Sequence, residues 1–148
     1  MINYCDGFTV WHKELNLIST AVLYVALTTY HEARSEPAMC QLLVAETVRN
    51  RMDTRSLTAK QVVRQKHQYS WTSVIRGKSI KQEYKRIQRT ADPADKEALD
   101  NAIIMAQWVL SPLYVSVSDV QYFHDTRIKT PKHFKHQIKC GGKLVFSK

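Results

Sequence analysis

A chain of 148 residues suits one domain with a sizeable core, and its 44% hydrophobic and 24% charged content excludes a disordered or fibrous protein. Only four glycines and four prolines argue against a loop-rich all-β design. The formal charge of +9 favours polyanions, whether nucleic acid, anionic membrane or the acidic polymers of a bacterial envelope.

The first helix is predicted from Trp11 to Arg34. Ile18, Val22, Val25, Thr29 and Glu32 recur at steps of four and three, so Glu32 extends an inward-facing stripe. The apolar run Leu15 to Tyr30 is interrupted by Asn16, Ser19, Thr20, Thr28 and Thr29 and falls short of the ~20 residues that span a bilayer. It also lacks the basic start and cleavage site of a secretory signal. A buried helix is expected, with no stable membrane insertion, in a chain made in the cytoplasm. A signal-anchor that later leaves the membrane is the alternative. Pro37 ends this helix by forcing Glu36 out of helical geometry, and is expected as the first residue of a second helix with Glu36 beside it as a cap.

The second helix carries Met39, Cys40, Leu42, Leu43, Val44, Ala45, Val48 and Met52, apolar on enough faces to predict a central position. Thr58 and Gln61 form the capping box of a short third helix containing Val62 and Val63. From Gln65 to Lys81 the chain is polar and basic, and Tyr69 and Trp71 are not expected to be buried by regular packing. Asp92-Pro93 opens another helix as N-cap and first residue, and Ser111-Pro112 ends it. Extended segments such as Tyr114–Val117 follow. The tail after Asp125 holds seven Lys/Arg and no acid. The fold class is mostly α, an α+β domain with minor short strands over residues 1–148. Cys5, Cys40 and Cys140 are odd in number and widely spaced, so reduced thiols are expected, Cys40 in the core.

Two readings compete for Glu32. The C-terminal end of a helix and partial burial both disfavour an ionised carboxylate, so its pKa should rise, as a general acid requires. A structural glutamate paired with Arg34 or Arg49 is the other reading. Glu36, ahead of the second helix, fits a positioning role better than catalysis. Gln68-Tyr69-Ser70-Trp71 offers an amide, two aromatic faces and a hydroxyl suited to sugar rings, against the simpler possibility that Trp71 tucks onto the core. In Tyr122-Phe123-His124, alternation sends Phe123 to the core and Tyr122 and His124 the other way. A zinc-protease pattern would need His where Ser35 stands, and His124, His133, His136 and Cys140 lack a paired anchor, so no metal and no cofactor is expected.

Together these residues resemble the cell-wall hydrolase family of spore cortex-lytic enzymes, a lysozyme-like group of lytic transglycosylases. The family's Ala-x-x-x-Tyr-Gly-Glu-Ala-Arg-Gly-Glu-Pro segment is similar to Ala26–Pro37, with His31 and Ser35 in place of both glycines. Its Val-Ala-x-Val-x-x-Asn-Arg run resembles Val44–Arg51, its Gln-Phe-Ser-Trp loop resembles Gln68–Trp71, and a later Tyr-x-His before a proline resembles Tyr122–His124 and Pro131. The family's closing Gly-x-His-x-Phe-Tyr is matched only loosely by Gly142–Ser147. The resemblance implies a lysozyme-like domain that cleaves peptidoglycan, with Glu32 as catalytic acid/base and Glu36, Gln68, Tyr69, Trp71, Tyr122 and His124 along the glycan groove. A basic catalytic domain without an export signal also resembles a bacteriophage lysin, made in the host cytoplasm and acting in the periplasm or wall, or carried in the virion. The basic charge would draw it to the anionic envelope. Transglycosylation needs one carboxylate and hydrolysis ordinarily two, and Asp119 and Asp125 remain open as a second. The rival readings are a small basic nucleic-acid-binding protein and a virion structural protein that retains the fold. Nucleic acid is not the expected partner, since that reading leaves the Glu32 segment without a role.

Overall fold

The computed structural model describes residues 18–148, so Cys5 and the predicted first turns from Trp11 lie outside the described residues. Helix α1 (Thr20–Ala33) starts at Ser19, whose extended backbone breaks the helix and whose Oγ accepts the Val22 N–H at 3.2 Å. The helix therefore does not run through Ile18 as the periodicity predicts. Pro37 is the N-cap of α2 (Ala38–Arg55) and not its first helical residue. Glu36 does not cap that helix either; its Oε2 accepts the Lys143 N–H at 2.7 Å. Its carboxylate joins the helix corner to a hairpin over a hundred residues away.

Helix α3 (Ala59–Val63) has the Thr58/Gln61 capping box, and α5 (Pro93–Val109) starts from Asp92, whose Oδ1 accepts the Asp95 N–H at 2.8 Å. Between them lies α4 (Ile80–Thr90), which the sequence reading missed. Ser79 and Gln82 form its capping box, and Ile80, Glu83, Tyr84 and Ile87 make its buried face.

The centre of the helical layer is α1, not α2. It packs against α2, α3, α4 and α5, and every residue from Val22 to Tyr30 is buried. Its buried Thr28 and Thr29 donate their hydroxyls to the Tyr24 and Val25 carbonyls at 2.8 and 3.0 Å, so they add no unmet polar group to the core.

After α5 the chain makes an antiparallel sheet in the order β1-β3-β2: β1 (Tyr122–Asp125), β2 (Ile138–Lys139) and β3 (Leu144–Ser147). Phe123 pairs with Phe146, and Ile138 with Phe146 on the other side. Tyr114–Val117 forms no strand. Buried Glu46 of α2 holds that stretch instead, accepting from Tyr114 Oη at 2.5 Å, the Val117 N–H at 2.6 Å and Ser118 Oγ at 2.6 Å. The class is thus mostly α with a small sheet, as the composition predicts. No helix among the described residues is long and apolar enough to cross a membrane.

A second apolar cluster of Ala33, Leu43, Val44, Val120, Leu144 and Phe146 joins the sheet to the α1–α2 corner. Here the expected free thiols are corrected: Cys40 and Cys140 form a disulfide across 100 residues, with Cα atoms 5.0 Å apart. Their wide spacing concealed the pair because the β2–β3 hairpin folds back onto the start of α2. Gly142 permits the close approach, since a Cβ there would run into Glu36 Oε2, Cys40 Sγ and Pro37 Cδ.

Closing so long a loop removes unfolded-state entropy equivalent to about 4–5 kcal/mol, and losing such a bridge costs about 2–5 kcal/mol. Cys40→Ser/Cys140→Ser should therefore lower the thermal midpoint by roughly 6–15 °C, read by circular dichroism. An unchanged midpoint would show that the hairpin is held by Glu36 and apolar packing alone.

Candidate functional site

Glu32 sits in the last turn of α1, half-buried, just before the chain turns at Arg34. Burial alone pushes its carboxyl above the ordinary value, with no hydrogen bond or ion pair to the carboxylate among the described residues. The proposed structural partners are engaged elsewhere. Arg34 Nε donates to Asp95 at 3.2 Å, and Arg49 donates to Asp53 at 2.7 Å and to the Val109 carbonyl at 2.9 Å. That pairing is therefore not what holds Glu32.

The Gln68–Trp71 loop packs more tightly than its composition suggests. Tyr69 is 4% exposed and Trp71 5%, the latter on a 3-10 turn (Ser70–Ser73). The Tyr69 phenol is pushed up to about 12, mainly by burial, with the nearby Glu32 charge adding to the rise. Tyr69 Oη and Trp71 Nε1 are buried without hydrogen-bond partners, a rare condition for such donors. Two of the aromatic-loop candidates thus hold unmet donors, and Tyr69 is near enough to Glu32 to feel its charge.

Arg51 organises this side, and sequence reasoning assigned it no role. It is 4% exposed. Nε donates to the Gln121 carbonyl at 2.5 Å and Nη1 to Gln68 Oε1 at 2.6 Å. Its guanidinium carbon lies 5.9 Å from the Tyr69 ring centre and 4.9 Å from that of Tyr122. Arg55 Nη2 donates to Tyr122 Oη at 2.9 Å, and Tyr122 stacks on Phe134. One buried cation therefore brings Gln68, Tyr69 and Tyr122 together. Its signal in the sequence was the Asn50-Arg51 pair, both members of which bond backbone carbonyls beyond α5: Asn50 Nδ2 reaches Ser118 at 3.2 Å and Val120 at 2.9 Å.

A second arrangement centres on His31. Its ring stacks on Trp71 at 4.9 Å and 13°, and its Nε2 lies 3.1 Å from Glu83 Oε1. Glu83 is buried and also accepts from Arg86 Nε at 2.8 Å and Nη2 at 2.7 Å, which lowers its pKa. Burial holds the His31 imidazole below its ordinary value against the pull of Glu83. Glu83 lay on the helix the sequence reading missed, so neither it nor this contact was foreseen.

The remaining candidates divide. His124 Nε2 is 3.0 Å from Thr130 Oγ1, while its Nδ1 is buried and unpartnered; alternation along β1 sets it on the face of Tyr122. Phe123 packs on both apolar clusters, as expected. Glu36 stays with the Lys143 amide at the corner. Asp119 is paired with Lys148 at 2.7 Å, and Asp125 with Arg127 at 2.8 Å, which holds the Asp125 carboxyl down at about 2.

No curated protein and no solved structure matches the chain. A family model described as Cell Wall Hydrolase matches residues 35–147. The match takes in the Arg51 network, the aromatic loop and the sheet, and begins just after Glu32. With well over half of its length matched, the chain belongs to the cell wall hydrolase family, whose activity is directed at peptidoglycan.

Proposed function

We propose that the chain is a peptidoglycan lytic transglycosylase that cleaves the β-1,4 bond between N-acetylmuramic acid and N-acetylglucosamine, with Glu32 as general acid and then base. The observation that carries this reading is the half-buried Glu32 carboxylate with its pKa raised by burial and no partner. Protonated Glu32 gives its proton to the glycosidic oxygen as the C1–O bond breaks and oxocarbenium character develops. The carboxylate so formed accepts the proton of the sugar's own C6 hydroxyl as that oxygen attacks C1. A 1,6-anhydro product results, and the acid is restored.

Gln68, Tyr69, Trp71, Tyr122 and His124 are assigned to the walls of the glycan groove. The support is the clustering of Gln68, Tyr69 and Tyr122 around Arg51, the unmet donors of Tyr69 and Trp71, and the place of His124 on the Tyr122 face of β1. Among the described residues the two other candidate carboxylates are tied to cations, Asp119 to Lys148 and Asp125 to Arg127, which favours transglycosylation over a lysozyme-type reaction. Delivery by a bacteriophage to the host wall extends the reading. The Cys40–Cys140 bridge suits action outside a reducing cytoplasm, and the +9 charge suits an anionic envelope.

Glu32→Gln should reduce cleavage of purified peptidoglycan by about 10²–10⁴-fold with the fold intact, scored by zymography and circular dichroism. Full activity in that variant would falsify the assignment. Mass spectrometry of the wild-type products should show anhydro-muropeptides, and reducing ends in their place would move the reaction to hydrolysis.

The raised pKa has a stability consequence. Between the unfolded carboxyl value and the raised folded value, the native state holds more protons than the unfolded state. Stability therefore declines as pH rises through that window. At neutral pH, Glu32→Gln should match or exceed the wild-type thermal midpoint, and the difference should vanish at acid pH. A variant less stable than wild type at neutral pH would mean that the charged carboxylate is favourably held.

A further inference from the structure

Beside the Gln68–Trp71 loop lies a cavity of about 470 Å³ that the proposed bond cleavage does not use. Arg64, Lys66, His67 and Arg76 line it with the hydroxyl of Ser70, and none of its lining residues is acidic. The sequence accounts for that imbalance, since seven Lys/Arg and no Asp or Glu lie between Asp53 and Glu83. Arg64 is fixed: Nε donates to Tyr24 Oη at 2.8 Å and Nη2 to the Lys78 carbonyl at 3.3 Å. The Lys66 and Arg76 side chains engage no acceptor among the described residues.

Convergent cations in a concave site repel one another and concentrate anions. Two left-handed backbone positions, His67 at φ 62° and Gly77 at φ 78°, bend the loop around the cavity. His67 is not a glycine, so its conformation carries a local cost that the surrounding loop must sustain. Tyr69 is a shared wall, since it lines the cavity and its phenol feels the charge of Glu32. The cavity and the proposed acid thus have Tyr69 in common.

We propose that this cavity is a carboxylate-binding subsite that takes the peptide stem of the muramoyl residue undergoing cleavage. The proposal rests on the glycan-cleaving reading above. The sugar backbone of the strand is uncharged, and its anionic groups are the free carboxylates of the stems. The sugar attacked at C1 bears its stem on the lactyl group of the same ring, so that stem must leave the groove close to the acid. A guanidinium fork and an ammonium match carboxylate oxygens through charge-assisted hydrogen bonds.

The test uses the full chain and two probes, a soluble stem tetrapeptide and inorganic phosphate. Calorimetric titration of Glu32→Gln protein should detect tetrapeptide binding, weakened at least tenfold when Lys66→Glu and Arg76→Glu are added. Both side chains are exposed, and circular dichroism checks the fold. In kinetics, wild type should show a lower KM for stem-bearing glycan than for amidase-stripped glycan, and the double variant should lose five- to tenfold of that preference. An undiminished preference overturns the subsite, as does phosphate binding as tight as that of the tetrapeptide. Tetrapeptide binding that needs Lys66 and Arg76, in a protein that leaves glycan uncut, supports the subsite and overturns the cleavage reading instead.

Discussion

A guanidinium almost wholly removed from water must have its donors met, and Arg51 meets them with segments that lack regular structure of their own. Its two acceptors come from opposite directions, the Gln121 carbonyl ahead of β1 and the Gln68 amide oxygen at the aromatic loop. The Gln68 loop has no strand ladder to hold it there, and the Gln121 segment has one backbone bond to β3, from its N–H to the Ser147 carbonyl at 2.9 Å. Glu46 and Asn50 extend the same device along α2, binding the chain between Tyr114 and Val120. Removing any one of these side chains would leave buried groups unpaired in several places at once, which is costlier than losing one hydrogen bond. The polar edge of α2 is therefore the scaffold on which the Gln68 loop and the Tyr114–Gln121 segment are set.

Against that background Glu32 stands apart. Glu46 receives three donors, Glu83 receives Arg86 and His31, and Glu36 receives the Lys143 amide. Each of these carboxylates has its hydrogen-bonding oxygens engaged by named donors, and in Glu83 the Arg86 guanidinium lowers the pKa. Glu32 shares their partial removal from water but not their partners, so burial acts on it unopposed. A fold that meets so many buried polar groups and leaves one carboxylate unmet carries a local instability, and such sites are where chemistry is commonly placed. Tyr69 and Trp71 repeat the pattern with unmet donors.

The local signals in the sequence read well because each is contained within a few residues. The Thr58/Gln61 box, the Asp92-Pro93 start and the break at Pro37 all appear in the fold, and the stripe from Val22 to Glu32 faces inward as its spacing predicts. Helix α4 had the same kind of signal in Ser79 and Gln82, but the surrounding lysines and arginines concealed a narrow apolar face of Ile80, Tyr84 and Ile87. The long-range features were not legible. The Cys40–Cys140 bridge, the Glu36–Lys143 contact and the exclusion of any side chain at Gly142 all depend on the hairpin returning to the α1–α2 corner. For the candidate site, residue types pointed to Glu32 and the aromatic loop. Arg51 and Glu83 escaped because a buried charge is recognisable only when its partners are known.

The distribution of charge follows from the same economy of carboxylates. Asp95, Asp53, Asp119 and Asp125 are each tied to a cation, and Glu46, Glu83 and Glu36 are spent on internal contacts. Few acids remain to neutralise the basic stretch between Asp53 and Glu83 or the tail after Asp125. The surplus of +9 is set by composition, 22 Lys/Arg against 13 Asp/Glu, and it concentrates in the stretches that hold no acid. Salt screens exposed charge over about 8–10 Å, and the cations that line the cavity are exposed, with Arg64 held in place by Tyr24. Under the proposed subsite, attraction to the wall as a whole and selection of one anionic group would draw on the same imbalance. The first would weaken steeply with ionic strength, and the second would depend on the loop geometry as well as on charge.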